Sequence, residues 1–189
     1  MARDSHTVTV ADRLFPLSRV LLKNNKPVNL ANYTMKWHLV NDGGTTVTAA
    51  TTVGITTQPT ATFTASATTN IVSCDGHVVE ENDEIIVSNA GGALPAGLVA
   101  ATRYFAKEVT PNGFKLSSSP GGAAIDITSA GTGTNSFYIV GHVTYQFTAI
   151  EVASAGTYWG WLSAYDGGGL VQHWPDNGRG LRIDVVEAA

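Results

Sequence analysis

The sequence predicts an all-β protein of two modules: a β-sandwich built from both ends of the chain, and a small barrel-like β module inserted into it. Three observations carry the prediction. Only 14% of the 189 residues are charged, well below the usual quarter. Thr, Ser, Ala and Gly take their place, which leaves little material for solvated helix faces and favours short strands and turns. Several stretches alternate apolar and polar residues at period two, the mark of half-buried strands. Turn signals recur through the middle of the chain about every eight to twelve residues, the spacing of an all-β unit.

The elements follow in order. Thr7 to Val10 alternates, and Leu17 to Leu22 is an apolar run stopped by the turn signal Lys23-Asn24-Asn25-Lys26-Pro27. From Tyr33 to Val40, Tyr33, Met35, Trp37 and Leu39 share one face, with Thr34, Lys36, His38 and Val40 on the other. Asn41-Asp42-Gly43-Gly44 turns the chain, and Thr45 to Thr57 resumes as strand. Pro59 breaks this pattern. A new series then begins at Phe63, with strands expected from Glu84 to Ser88, Arg103 to Val109, Phe114 to Ser117 and Ile125 to Ile127. The closing part returns to the first style, with Val143, Tyr145 and Phe147 alternating. Ala149 to Ala155 is the one stretch expected to be helical, for at most a turn or two. Strands follow at Thr157 to Tyr165, Leu170 to Trp174 and Leu181 to Val186. Asp176 to Gly180 reads as a turn before the last of them.

Charge supports a division. Between Phe63 and Val140 three bases stand against seven acids, while the remainder is neutral. Residues 1–60 and 141–189 are therefore expected to form one discontinuous sandwich, with 61–140 as a separate small β domain. Insertion at an exposed turn suits a domain whose ends lie close together.

The net charge of −4 offers no basic footprint for nucleic acid. Cys74 is the single cysteine, so neither an internal disulfide nor a cysteine zinc cage is expected, which fits assembly in a reducing cytoplasm. The polar start Met1 to His6 leads into no apolar segment, so no export signal or membrane contact is expected.

Two stretches carry a resemblance. Leu21-Leu22-Lys23-Asn24-Asn25-Lys26-Pro27-Val28-Asn29-Leu30, with Val143 to Ala149 and Ala155-Gly156-Thr157-Tyr158, resembles the N-terminal immunoglobulin-like domain of siphophage baseplate upper proteins. The middle resembles a β module of phage tail and fibre proteins. Its marks are Asn82-Asp83-Glu84, Ser88 to Leu98, Thr102 to Phe105, Phe114 to Ser117 and Pro120 to Ile127. The resemblance implies an immunoglobulin-like β-sandwich with an inserted small β-barrel-like module. It also implies a place in a virion assembled in the host cytoplasm. Other virion proteins are the expected partners, in a homo-oligomer or symmetric assembly. A tail or baseplate component is the first reading, a head decoration protein the second and a glycan-binding adhesin the third.

Within that fold Tyr158 reads as the tyrosine whose hydroxyl ties back to the backbone at the start of a sandwich strand. Gly160 then sits where such domains place a disulfide cysteine, and Trp37 is expected to fill the space above it. The same alternation sends Trp159, Trp161 and Tyr165 to the opposite face. With Trp174 they form the expected contact surface, since aromatics concentrate in interface cores. The bland alternative is that the inserted module or Trp174 covers them.

No catalytic residue, metal or cofactor is expected. Glu80 to Glu84 has the oxygens of a calcium loop but not its spacing, so a charged turn explains it. His6, His38, His77, His142 and His173 lack metal-binding spacing. No G-x-S-x-G elbow or phosphate loop occurs, and Cys74 has no neighbouring base.

Overall fold

The computed structural model describes residues 5–10, 16–175 and 180–187, and no helix occurs among them. The strands, in chain order, begin with β1 (Ser5–Thr9), β2 (Leu17–Val20), β3 (Leu22–Lys23), β4 (Lys26–Pro27), β5 (Thr34–Asn41), β6 (Thr46–Thr51) and β7 (Ile55–Thr57). Then come β8 (Ala61–Ala65), β9 (Val72–Ser73), β10 (Glu84–Ala90), β11 (Arg103–Thr110), β12 (Gly113–Ser117) and β13 (Thr134–Ile139). The last are β14 (His142–Tyr145), β15 (Gly156–Asp166), β16 (Gly169–Trp174) and β17 (Leu181–Val186).

The chain divides into two units. One holds Met1–Leu21, Asn29–Thr57 and Val143–Ala189; the other holds Leu22–Val28 and Gln58–His142. The seams fall at Thr57/Gln58 and His142/Val143, against the expected 60/61 and 140/141. The short β3–β4 hairpin belongs to the second unit, an assignment its sequence did not announce. Asn24 and Asn25 both take positive φ, 52° and 60°, as a two-residue type I′ hairpin turn requires.

The first unit has two sheets. The larger runs β1-β17-β15-β5-β6, with β16 paired to the far half of β15; the smaller runs β2-β14-β7. β1 lies parallel to β17, so the two ends of the chain share one sheet. Period two decides what is buried. Met35, Trp37 and Leu39 of β5, Leu162 and Ala164 of β15, and Leu181, Ile183 and Val185 of β17 all point inward. Against them lie Val143 and Tyr145 of β14 and Phe147 just beyond it. The Trp37 ring stacks on Tyr145 at 4.6 Å and meets Phe147 edge-on at 6.1 Å. Aromatic pairs of this kind add about 0.5–1.5 kcal/mol beyond the area they bury.

The second unit is a closed barrel in the order β10-β11-β12-β9-β8-β13. Ile85, Val87, Tyr104, Ala106, Phe114, Leu116, Phe137 and Ile139 alternate into its interior. Six strands leave room for side chains alone, since even eight make a barrel that side chains can fill. Side chains from its strands and loops close the turns and ends. Asn82 takes φ 70° and its side-chain oxygen accepts the Gly121 N–H at 3.2 Å. The Tyr104 hydroxyl accepts the Val99 N–H at 2.8 Å, and Asn89 donates to both Asn135 and the Thr132 carbonyl. At Gly113 an added Cβ would lie 2.5 Å from the Val72 carbonyl, so a side chain there would push two paired strands apart.

Two expectations are corrected. Ala149 to Ala155 forms turns, not a helix. Glu151 folds back to accept the N–H and hydroxyl of Thr148 and directs its carboxylate into the core. Ile125 to Ile127 is not a strand either: the bond from the Ile125 N–H to the Leu116 carbonyl and an isolated bridge between Ser117 and Ala124 hold this loop. Ile127 is nonetheless fully buried. Strand β13, not foreseen between Gly133 and Val140, closes the barrel by pairing with both β10 and β8.

Candidate functional site

The site is the outer face of the large sheet. On β15 the residues of odd number point away from the core, and on β5 the even ones do. Register sets Trp159 against Val40, Trp161 against His38, Ser163 against Lys36 and Tyr165 against Thr34. On the other side of β15, Trp159 faces Arg182 and Ser163 faces His173.

Each aromatic is held by a neighbour from its own unit. Trp159 donates its indole N–H to Asp42 at 3.1 Å. The Trp161 ring stacks on His38, with centroids 5.3 Å apart and planes 8° from parallel. The Lys36 ammonium stands 4.4 Å over the Tyr165 ring, a cation–π contact. All three rings are half-buried, so the face presents them in fixed orientation. Rigid aromatics of this kind lose little entropy when a partner covers them. Trp174, expected on the same surface, parts from them. It pairs with Leu162 on the core side and is only 8% exposed, so it neither covers the other three nor joins their face.

The three residues given a structural role lie as follows. The Tyr158 hydroxyl donates to the Ser154 carbonyl at 2.9 Å. Gly160 lies under Trp37, and a Cβ added there would come within 2.5 Å of the indole Cζ2. Trp37 itself is buried and donates its N–H to Glu151. Tyr158→Phe is expected to lower stability by about 0.5–1.5 kcal/mol, the net worth of one hydrogen bond, measured by urea denaturation.

Glu151 is the residue that sequence reasoning missed. It is 1% exposed and takes five donors. These are the Trp37 indole N–H at 3.1 Å, the Thr48 hydroxyl, the Tyr145 hydroxyl at 2.7 Å, and the Thr148 N–H and hydroxyl at 2.7 and 3.0 Å. Burial, reinforced by the carboxylate, drives the Tyr145 phenol far above its ordinary range, so it stays a donor. Both Glu151 oxygens are taken up by donors from the same unit, which suits a structural role.

Other polar groups lie near one another without forming a reactive site. Ser163 and His173 approach to 2.8 Å, the contact of a nucleophile and its base. But Ser163 is fully buried, so no substrate atom reaches its hydroxyl, and the pair ties β15 to β16. The acids of Glu80 to Glu84 turn to separate partners. Asp83 accepts the Glu80 N–H, Glu81 accepts the Val109 N–H, and Glu84 pairs with Arg103 at 3.0 Å. Burial, with Asp75 beside it, raises the Cys74 thiol pKa, which disfavours the thiolate. Among the described residues no group of three His, Cys, Asp or Glu converges to hold a metal. Among them there is no helix long and apolar enough to cross a membrane. The turn expected over Asp176 to Gly180 lies outside the described residues except for Gly180.

Two histidines give the fold a pH dependence. Burial lowers the pKa of His142 at the start of β14. Burial, then His173 and Lys36, lower that of His38. With a folded value below the ordinary one of about 6.5, the unfolded chain binds protons first as the pH falls. The stability tied to the neutral imidazole is therefore complete above that value and drains as the pH drops through the lowered one. Urea midpoints are expected to fall from pH 7.5 to pH 5.5, and to fall less in His142→Gln. An equal fall in that variant would remove His142 from the account.

Comparison of the chain with protein-family models, with curated proteins and with solved structures gave no match. The geometry thus defines the class: an all-β protein with a closed six-stranded barrel and a sheet face of ordered aromatics.

Proposed function

We propose that this chain is a non-enzymatic structural component of a bacteriophage particle, of the tail or baseplate, acting through protein–protein contacts. The observation that carries the reading is the outer sheet face. Trp159, Trp161 and Tyr165 are oriented by Asp42, His38 and Lys36 and only half-buried, which suits a surface that a neighbouring subunit covers. The resemblance of both modules to phage tail and baseplate proteins supports the setting.

The finer fold reading is an immunoglobulin-like sandwich. Its support is strand order. Taking β5, β6, β15 and β17 as strands C, C′, F and G and β2, β7 and β14 as B, D and E reproduces the variable-type arrangement, in which C′ joins the sheet of C, F and G. On that mapping the barrel is inserted between D and E. The tie from Tyr158 to Ser154 falls at the start of F, as in a tyrosine corner.

Mass spectrometry of purified particles tests the function. The chain is expected in fixed ratio to the other virion proteins and to resist a salt wash. Its absence from particles, when it is abundant in the infected cell, would overturn the reading. A glycan-array signal lost in Trp161→Ala would replace it with sugar binding, since apolar sugar faces pack on aromatic rings.

A further inference from the structure

We propose that a second copy of this chain docks on the outer face of the large sheet, about a twofold axis passing between Trp159 and Trp161. This rests on the reading of that face as a contact surface and names its occupant.

Charge is unevenly distributed along β5. Lys36 stands at one end of the face, over Tyr165. Asp42 stands at the other, holding the Trp159 indole. His38 and Val40 lie between them, paired in register with Trp161 and Trp159. Along β5 the face therefore runs from a cationic end through an uncharged middle to an anionic end, and Arg182, set against Trp159 on β17, is paired with Asp184 at 3.0 Å and adds no net charge. A twofold axis lying in the interface and running across the strands at the centre is the operation that sets each copy's Lys36 against the other's Asp42 and each Trp161 against the other's Trp159. A contact of that kind is isologous, with one patch complementary to itself. Translation of the second copy along the strands would not superpose opposite charges.

The size agrees. Five strands lie abreast and β5 has eight residues. At ~4.8 Å between strands and ~3.3 Å per residue the face measures about 24 by 26 Å. That is on the order of 600 Å² in projection, the scale of the roughly 800 Å² of accessible surface that each partner of a standard interface buries. Aromatics at the centre with charges toward the rim is also how stable interfaces are arranged.

The full chain is to be measured by sedimentation equilibrium from low micromolar to about 100 µM, as wild type, Lys36→Glu, Asp42→Lys, the double variant, and an equimolar mixture of the two single variants. Wild type is expected to be dimeric. Each single variant sets like charges opposite one another twice, so its dissociation constant is expected to rise about tenfold or more. The mixture and the double variant both restore two opposite-charge contacts and are expected to recover dimers. Circular dichroism shows whether each variant remains folded. A monomeric wild type at the highest concentration, or dimers indifferent to all four changes, would overturn the proposal. Particle composition is read separately. A monomer found in particles removes the twofold dimer only, and a dimer absent from particles removes the virion role only.

Discussion

Glu151→Leu is expected to lower stability by about 3–5 kcal/mol, enough to unfold the first unit at ordinary temperature. The change leaves the Trp37 indole N–H, three hydroxyls and the Thr148 N–H without their acceptor. The Trp37 and Tyr145 groups are sealed in the core, where a lost partner costs about 1–3 kcal/mol and water cannot replace it. Glu151→Gln keeps the shape but trades one accepting oxygen for a donating amide. It is expected to cost less than Leu and more than Tyr145→Phe, which removes a single donor. Urea or thermal denaturation followed by tryptophan fluorescence ranks the three. A neutral Glu151→Leu would mean that the carboxylate is dispensable to the core.

The second large effect concerns Gly160. Gly160→Ala is expected to cost about 1–3 kcal/mol or more, because overpacking a filled core forces strain. The new methyl would press on Trp37. The indole has nowhere to go: Tyr145 stacks on it at 4.6 Å and Glu151 holds its N–H at 3.1 Å. Trp37→Leu alone is expected to cost about 3–5 kcal/mol, like other deletions of a buried Trp. Combined, the two changes should be less harmful than their sum, since the alanine methyl enters space the smaller side chain vacates. Strict additivity would show that Gly160 and Trp37 do not compete for one volume.

These two sites mark where the sequence was readable. On β5 and β15 the alternation itself assigns faces, because a one-residue slip would invert every side chain. Hence Trp37 and Gly160 could be set inward and Trp159, Trp161 and Tyr165 outward from the sequence alone. What alternation does not give is register across a hundred residues. That Trp161 meets His38, and Trp159 meets Asp42, follows from pairing β5 with a strand on the far side of the insertion. Trp174 was misjudged for the same reason: its face depends on a register shift between Ala164 and Tyr165. Glu151 was illegible for another reason. A charged residue among Ala, Ile and Ser reads as solvated, and only donors gathered from β5, β6 and β14 make its burial tolerable. Strand β13 escaped notice because its polar Asn135 and Ser136 mute the apolar signal. Asn135 is buried and receives the Asn89 side chain.

The seam of the insertion has a consequence for design. Thr57 pairs with Val143, and the next residue pair continues the ribbon with a bond from the Gln58 N–H to the His142 carbonyl. The polypeptide thus leaves and re-enters on adjacent antiparallel rungs. A tight Asn-Gly bend could join those rungs directly, since that spacing is what a two-residue hairpin spans. The same position would accept a foreign cassette whose own ends lie one strand-width apart, which makes it a ready splice point for displaying cargo.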